Sequence, residues 1–280
     1  MPRTIHEARM WACETADNVR PEDVDYLLAE RLDMTPSQFQ LKQDLVLTEE
    51  QEHQLKLDVK KLKRGVSPQY ILGYSWFYGY KLKVVRGVLI PRFETEELVS
   101  WALDHVKNGD KVLDLGTGSG CITVAFGQEA AKKGIKDLDL YASDISDTAL
   151  RTAEENFADY DLDVIVRKAN ILIGLEKFDK IISNPPYIKE NERGYMDQNV
   201  LENEPQEALF GGKDGLAFYR RFADQVRDHL HAGGEFFLEY GFSEQDELRQ
   251  LFAEKLPDFT VEFRNDLAGK PRMVYGKWNQ

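Results

Sequence analysis

The chain has 280 residues, 42% of them hydrophobic and 30% charged, and its 49 acidic against 36 basic side chains give a formal net charge of −13. That length accommodates one large domain and a small one, and the acid surplus argues against a protein that holds nucleic acid mainly by neutralising phosphates. Cys13 and Cys121 stand far apart in no metal-ligand spacing, which argues against a disulfide framework and for the cytoplasm. His229 and His231, two residues apart, diverge on a helix and make a poor metal pair, so no metal site is expected. The N-terminus carries no apolar run of the kind a signal peptide needs, and no segment approaches the ~20 apolar residues that span a bilayer. A soluble monomer is the expectation.

The first ~65 residues read as short helices. Pro21 opens a segment with Val24, Leu27, Leu28 and Leu32 on one face, and Thr48-Glu49-Glu50-Gln51 has the form of a capping box. Leu55, Val59 and Leu62 keep helical spacing behind it, and Gly65 sits where that helix would end. Its last turn is basic, with Lys60, Lys61, Lys63 and Arg64; this is either a solvated turn complementing the helix dipole or a docking patch. Pro68 to Gly73 reads as a turn-rich connector. Trp76 to Val85 alternates, with Gly79 as the turn of a hairpin. Residues 1–85 carry 12 basic and 13 acidic side chains, so the acid excess belongs to the remaining, C-terminal part of the chain.

From about residue 93 strands alternate with helices. Strands are expected at Lys111–Leu115, Leu138–Ser143, Val164–Arg167, Phe178–Ser183, Glu235–Tyr240, Thr260–Arg264 and Met273–Lys277. Helices are expected from about Ser119, at Thr148–Phe157, near Leu216–Leu230 and at Glu244–Leu256. Repeated β-α units predict an α/β fold: a seven-stranded, mostly parallel sheet with helices on both faces, its last strand made antiparallel by a closing hairpin.

Gly116-Thr117-Gly118-Ser119-Gly120 follows the first of these strands and opens a helix, a place where nucleotides bind at the carboxyl edge of a parallel sheet. The spacing is G-x-G-x-G, with Cys121 where the dinucleotide fingerprint has its third glycine, and so suits a cofactor without a pyrophosphate. Asp144 ends the second strand, where a carboxylate can accept both ribose hydroxyls of an adenosine, or alternatively cap the next helix with Ser146. Asp114 could orient the loop or meet a cofactor ammonium.

Asn184-Pro185-Pro186-Tyr187 leaves the apolar strand ending Ile181-Ile182-Ser183. A planar amino nitrogen is a poor nucleophile because its lone pair is delocalised, so a site that methylates one must aim that lone pair at the methyl. The Asn184 carbonyl and the Pro185 backbone carbonyl can each accept one N–H, proline keeps those acceptors fixed, and Tyr187 can stack on the planar group.

With these residues in view the chain resembles the peptide chain release factor glutamine methyltransferases of bacteria. The likeness rests on Pro68–Gly73, Val88–Arg92, Thr95-Glu96, Asp114–Gly120, Asp144–Ser146, Ser183–Ile188, Glu204-Pro205, Gly211–Leu216 and Asp266–Gly269. It implies a Rossmann-like class I methyltransferase domain at 93–280, a linking β-hairpin at 74–92 and a helical substrate-docking domain at 1–73. It also implies transfer from S-adenosyl-L-methionine, leaving S-adenosyl-L-homocysteine, to the glutamine of the Gly-Gly-Gln motif in class I release factors. Carried over, Gly116, Thr117, Gly118, Ser119, Gly120, Asp144, Asn170, Ile171 and Asn184 contact the cofactor. Arg92, Phe93, Thr95, Asn184, Pro185, Pro186 and Tyr187 meet the substrate, with Asn184, Pro185 and Tyr187 carrying the chemistry. Phe93, where a proline is frequent, and Tyr240, where an aliphatic is usual, depart from the pattern. The rival readings are a ribosomal-protein glutamine methyltransferase, an adenine amino-methyltransferase, and a non-catalytic binding module.

Overall fold

The computed structural model describes residues 3–16 and 18–280. The chain divides into two compact units: residues up to Tyr74 joined by Asp197–Asn203, and Ser75–Met196 with Glu204–Gln280.

The first unit is built from α1 (Ile5–Thr15), α2 (Pro21–Arg31), α3 (Pro36–Leu41), α4 (Glu49–Leu62) and α5 (Pro68–Leu72), with α9 (Gln198–Asn203) returning to it late in the chain. Thr4, Thr35 and Thr48 each close a reciprocal capping box, so three of these starts are written in the local sequence. The apolar faces of α1, α2 and α4 converge through Ala8, Ala12, Val24, Leu27, Leu55 and Val59. Inside that core the Asp58 carboxylate accepts two hydrogen bonds from the Arg31 guanidinium, at 2.8 and 3.3 Å. Pro68–Gly73 is a short helix rather than a turn-rich connector: Pro68 is at a first-turn position where a missing N–H costs nothing, and Gly73 ends it left-handed. The return of α9 rests on Asn203, whose Nδ2 donates to the Gly65 carbonyl at 2.6 Å.

In the second unit β1 (Tyr74–Phe77) and β2 (Tyr80–Lys83) form the expected hairpin, with Tyr78 and Gly79 both at positive φ as a two-residue turn requires. A seven-stranded sheet comes next, made of β3 (Lys111–Leu115), β4 (Asp139–Asp144), β5 (Val164–Lys168), β6 (Phe178–Ser183), β7 (Leu230–Glu239), β8 (Phe259–Asn265) and β9 (Pro271–Trp278). Its order is β5-β4-β3-β6-β7-β9-β8. The first five strands in that order run parallel, and β9 is antiparallel to both of its neighbours, as the closing hairpin predicts.

Both faces of the sheet are covered, which is why its central strands bury apolar side chains on both sides. On one side Val112, Ile182 and Phe237 pack with α6 (Phe93–Leu103), α7 (Cys121–Lys132) and α8 (Asp147–Asp159). On the other Leu113, Ile181 and Phe236 pack with α11 (Ala217–His229) and α12 (Gln245–Lys255), which come after the short α10 (Gln206–Leu209). The hairpin docks on the first side through Phe77 and Leu82. Strand order reverses between β3 and β6, so the carboxyl ends of β3, β4 and β6 open onto a crevice, where α/β sheets bind ligands.

Candidate active site

The glycine loop is strapped to its neighbours before any ligand arrives. Gly116 and Thr117 donate their N–H groups to the Ser143 carbonyl at 2.8 and 2.9 Å, and Gly118 N–H donates to Asp144 Oδ2 at 3.0 Å. Asp114 lies buried beneath the loop. Its Oδ2 accepts from Thr117 Oγ1 at 2.7 Å, from Thr123 Oγ1 at 2.8 Å and from Thr123 N–H at 3.2 Å. Burial pushes the Asp114 carboxyl up to about 6 against the pull of those donors. Asn156 braces the far end by donating to the Ser119 carbonyl at 2.8 Å.

Of the two readings of Asp144, the geometry separates the cap from the carboxylate. Ser146 caps α8, its Oγ accepting from Ala149 N–H. Asp144 accepts one backbone N–H on each oxygen, from Gly118 and Ser146, which leaves each oxygen a lone pair on the cavity side. Burial raises its pKa, with those N–H groups opposing the rise.

A cavity of about 610 Å³ opens over this edge, and Gly116, Thr117, Gly118, Ser119 and Asp144 line it together with Asn170 and Ile171. A Cβ at Gly116 or Gly118 would meet no atom within 4 Å. The loop therefore presents open backbone, Asp144 offers paired acceptors, and Ile145, Ile171 and Phe218 supply apolar wall for a flat ring. These features fit an adenosyl cofactor. Gly120 is different. It does not line the cavity, and its φ of +80° and its proximity to Phe157 give it a packing reason to be glycine.

Asn184, Pro185 and Pro186 line the same cavity from the end of β6, as do Arg92 and Thr95. Asn184 Nδ2 donates to Thr95 Oγ1 at 2.9 Å, and Thr95 Oγ1 donates to Glu239 Oε2 at 2.6 Å. Tyr187 does not border the cavity; its hydroxyl donates to the other oxygen of Glu239 at 3.0 Å. Burial raises the pKa of both Tyr187 and Glu239. Phe93 lies outside the cavity and is 79% exposed at the start of α6. Arg92 is held by Glu204, whose Oε1 accepts from Nη2 at 2.7 Å.

Sequence reasoning gives no role to Glu239, Glu204, Phe218 or Arg221. Glu239 carries a signal: a carboxylate directly after Phe236-Phe237-Leu238 is a charge placed at the end of a buried strand. Arg221, whose Nη2 donates to Asn170 Oδ1 at 2.8 Å, carries none, because the contact spans 51 residues.

The chain matches known families and relatives over most of its length. Residues 95–213 match the methyltransferase small domain and residues 11–73 the PrmC N-terminal domain. A release factor glutamine methyltransferase of Streptococcus pneumoniae is 39% identical over 89% of this chain and 88% of its own length. One from Bacillus cereus is 33% identical over 98% of this chain and 99% of its own length. The fold also matches a methyltransferase from Pyrococcus furiosus at a TM-score of 0.52 and 18% identity, covering 83% of this chain and 99% of that one. The identity to the Streptococcus and Bacillus proteins, sustained over most of both chains, shows that this chain belongs to the release factor glutamine methyltransferase family.

Proposed function

We propose that the chain transfers a methyl group from S-adenosyl-L-methionine to the side-chain amide nitrogen of the glutamine in the Gly-Gly-Gln motif of class I release factors. The observation that carries this reading is a shared cavity, lined both by the Gly116–Ser119 loop with Asp144 and by Asn184–Pro186. The bound cofactor supplies an electrophilic methyl on a sulfonium. Gly116 to Ser119 and Asp144 hold it, with Asn170 and Ile171 beside the adenine.

The rest falls to the acceptor side. Asn184 has committed its amino group to Thr95, so its Oδ1 is the atom free to accept an N–H from the glutamine. The Pro185 carbonyl takes the second N–H, and proline's fixed φ keeps that acceptor aimed. Held by both hydrogens, the glutamine amide has its plane fixed, so its lone pair lies along the normal to that plane. Positioning of this kind lowers a barrier without a strong base. Glu239 already accepts from Thr95 and Tyr187 and is buried, so the proton leaves to solvent after transfer.

The N-terminal unit docks the factor, supported by its match to the family's N-terminal domain. The acid surplus favours a protein partner over nucleic acid, and a monomer acting in the cytoplasm suits that partner. Among the described residues no helix is long and apolar enough to cross a membrane, and no cluster of side chains fits a metal. The test is incubation with radiolabelled cofactor and four acceptors: a release factor, its Gly-Gly-Gln glutamine-to-alanine variant, a ribosomal protein and duplex DNA. Label on the intact factor alone is expected. Label on the variant factor, the ribosomal protein or DNA would overturn the assignment.

A further inference from the structure

The acceptor motif is tied at both ends to one buried carboxylate. Glu239 is the last residue of β7, and the parallel register that sets Ser183 beside Leu238 brings it level with Asn184 at the sheet edge. It is 1% exposed. One oxygen accepts from Thr95 Oγ1 and the other from the Tyr187 hydroxyl. Its backbone carbonyl accepts from the Tyr219 hydroxyl at 2.6 Å, which fixes the strand end itself.

The polarity of this chain of hydrogen bonds runs one way. Both Glu239 oxygens accept in these contacts, and threonine has a single hydroxyl proton. With that proton given to Glu239, Thr95 Oγ1 can face Asn184 only as an acceptor, so Asn184 must turn its amino group toward Thr95. A flipped amide would set two acceptors, Asn184 Oδ1 and Thr95 Oγ1, against each other with no proton between them. The same flip would present an amino group to the acceptor amide, where a carbonyl is needed. Resting on the glutamine-methylating reading above, we propose that Glu239 is a positioning residue: acting through Thr95, its carboxylate selects the Asn184 amide orientation that accepts a substrate N–H, and it anchors Tyr187 at the same time.

The test separates the relay from the identity of the acceptor. Thr95→Val keeps shape and volume but deletes both hydrogen bonds, whereas Thr95→Ser keeps both. In protein labelled with 15N-asparagine and saturated with S-adenosyl-L-homocysteine, the Asn184 side-chain NH2 is expected to exchange slowly with solvent in the wild type and in Thr95→Ser. It is expected to exchange at least ~10-fold faster in Thr95→Val, on the scale of one lost buried hydrogen bond. Turnover on the release factor should show kcat lowered ~10- to 100-fold in Thr95→Val and restored in Thr95→Ser. KM for the factor and affinity for S-adenosyl-L-homocysteine should stay within ~3-fold of wild type, because the lost interaction orients rather than binds. Equal NH2 protection in Thr95→Val, an unchanged kcat, or a loss that serine does not restore would each overturn the relay. Failure of the wild type to methylate the factor would overturn the glutamine reading alone, since the exchange measurement does not depend on the acceptor.

Discussion

Two glycines in the same loop should fail in opposite ways when given a methyl group. Gly120 has φ +80°, and a Cβ built there would lie 2.6 Å from Phe157 Cε1 and 3.2 Å from Ala153 Cβ. Phe157 is buried in the core between the sheet and α8, so its ring has little room to retreat. The left-handed backbone costs an alanine about 1–2 kcal/mol, and overpacking a filled core adds about 1–3 kcal/mol. Gly120→Ala should therefore lose about 2–5 kcal/mol, a melting-temperature drop of about 5–15 °C for a unit of this size. Gly118 has φ +57° with no atom within 4 Å of where a methyl would stand, so Gly118→Ala bears the backbone cost alone, about 1–2 kcal/mol. Its methyl would instead occupy space at the cavity wall, where the cofactor must approach the backbone. Thermal melts without ligand, paired with calorimetric titration of S-adenosyl-L-homocysteine, separate the two. Gly120→Ala is expected to melt lowest and Gly118→Ala to bind weakest, by at least ~10-fold. The reasoning fails if Gly118→Ala proves the less stable variant, or if Gly120→Ala melts with the wild type.

Three more expectations rest on other residues. The Asp114 carboxyl is held up at about 6 against an ordinary 3.8, so the folded protein binds the extra proton and this group's contribution to stability falls as pH rises through that window. Asp114→Asn removes that dependence. Urea denaturation should show the variant gaining on the wild type by about 1–3 kcal/mol between about pH 4.5 and 7, and a constant difference would contradict the assignment. Ile171, a β-branched residue at φ +59° in the cavity wall, stores backbone strain. Ile171→Gly should melt higher or level with the wild type while binding S-adenosyl-L-homocysteine more weakly, and lower melting with unchanged affinity would refute the trade. Lys60, Lys61 and Arg64 are exposed at the end of α4. Reversing their charges should weaken release-factor binding several-fold without moving cofactor affinity; unchanged factor binding returns them to a solvated last turn.

How much of the fold is legible in the sequence depends on the range of the contacts involved. Lys111–Leu115 and Phe178–Ser183 are legible to the residue because each carries a buried apolar pair, Val112-Leu113 and Ile181-Ile182, with the glycine loop and the Asn184 motif directly behind them. Helix α6 escapes such a reading: Leu98, Val99, Trp101, Ala102 and Leu103 are all buried, so its apolar surface is too broad to show a helical period. Strand β7 begins at Leu230 rather than Glu235 because Gly233 and Gly234 interrupt its alternation. Asp197–Asn203 joins the first unit through a contact 138 residues long, which no local pattern encodes. In the site, the Tyr187 hydroxyl bond to Glu239 and the Thr95 bond to Asn184 span 52 and 89 residues, and no local pattern encodes them.

The two halves of the site share one design. Asp114 and Glu239 are both buried carboxylates, both pushed upward in pKa by burial, and both held chiefly by hydroxyl donors: Thr117 and Thr123 in one case, Thr95 and Tyr187 in the other. Neither has a direct hydrogen bond to a cationic side chain among the described residues, so the hydroxyl donors, with the Arg272 charge acting on Glu239, offset the cost of burying each carboxylate. Asp114 lies under the Gly116–Gly120 loop and Glu239 behind Asn184–Tyr187. A hydroxyl bonded to a carboxylate has spent its proton, so its remaining lone pairs point outward with defined polarity. At each point the carboxylate fixes which atom of its hydroxyl partners is donor and which is acceptor, which hydrophobic packing alone does not do.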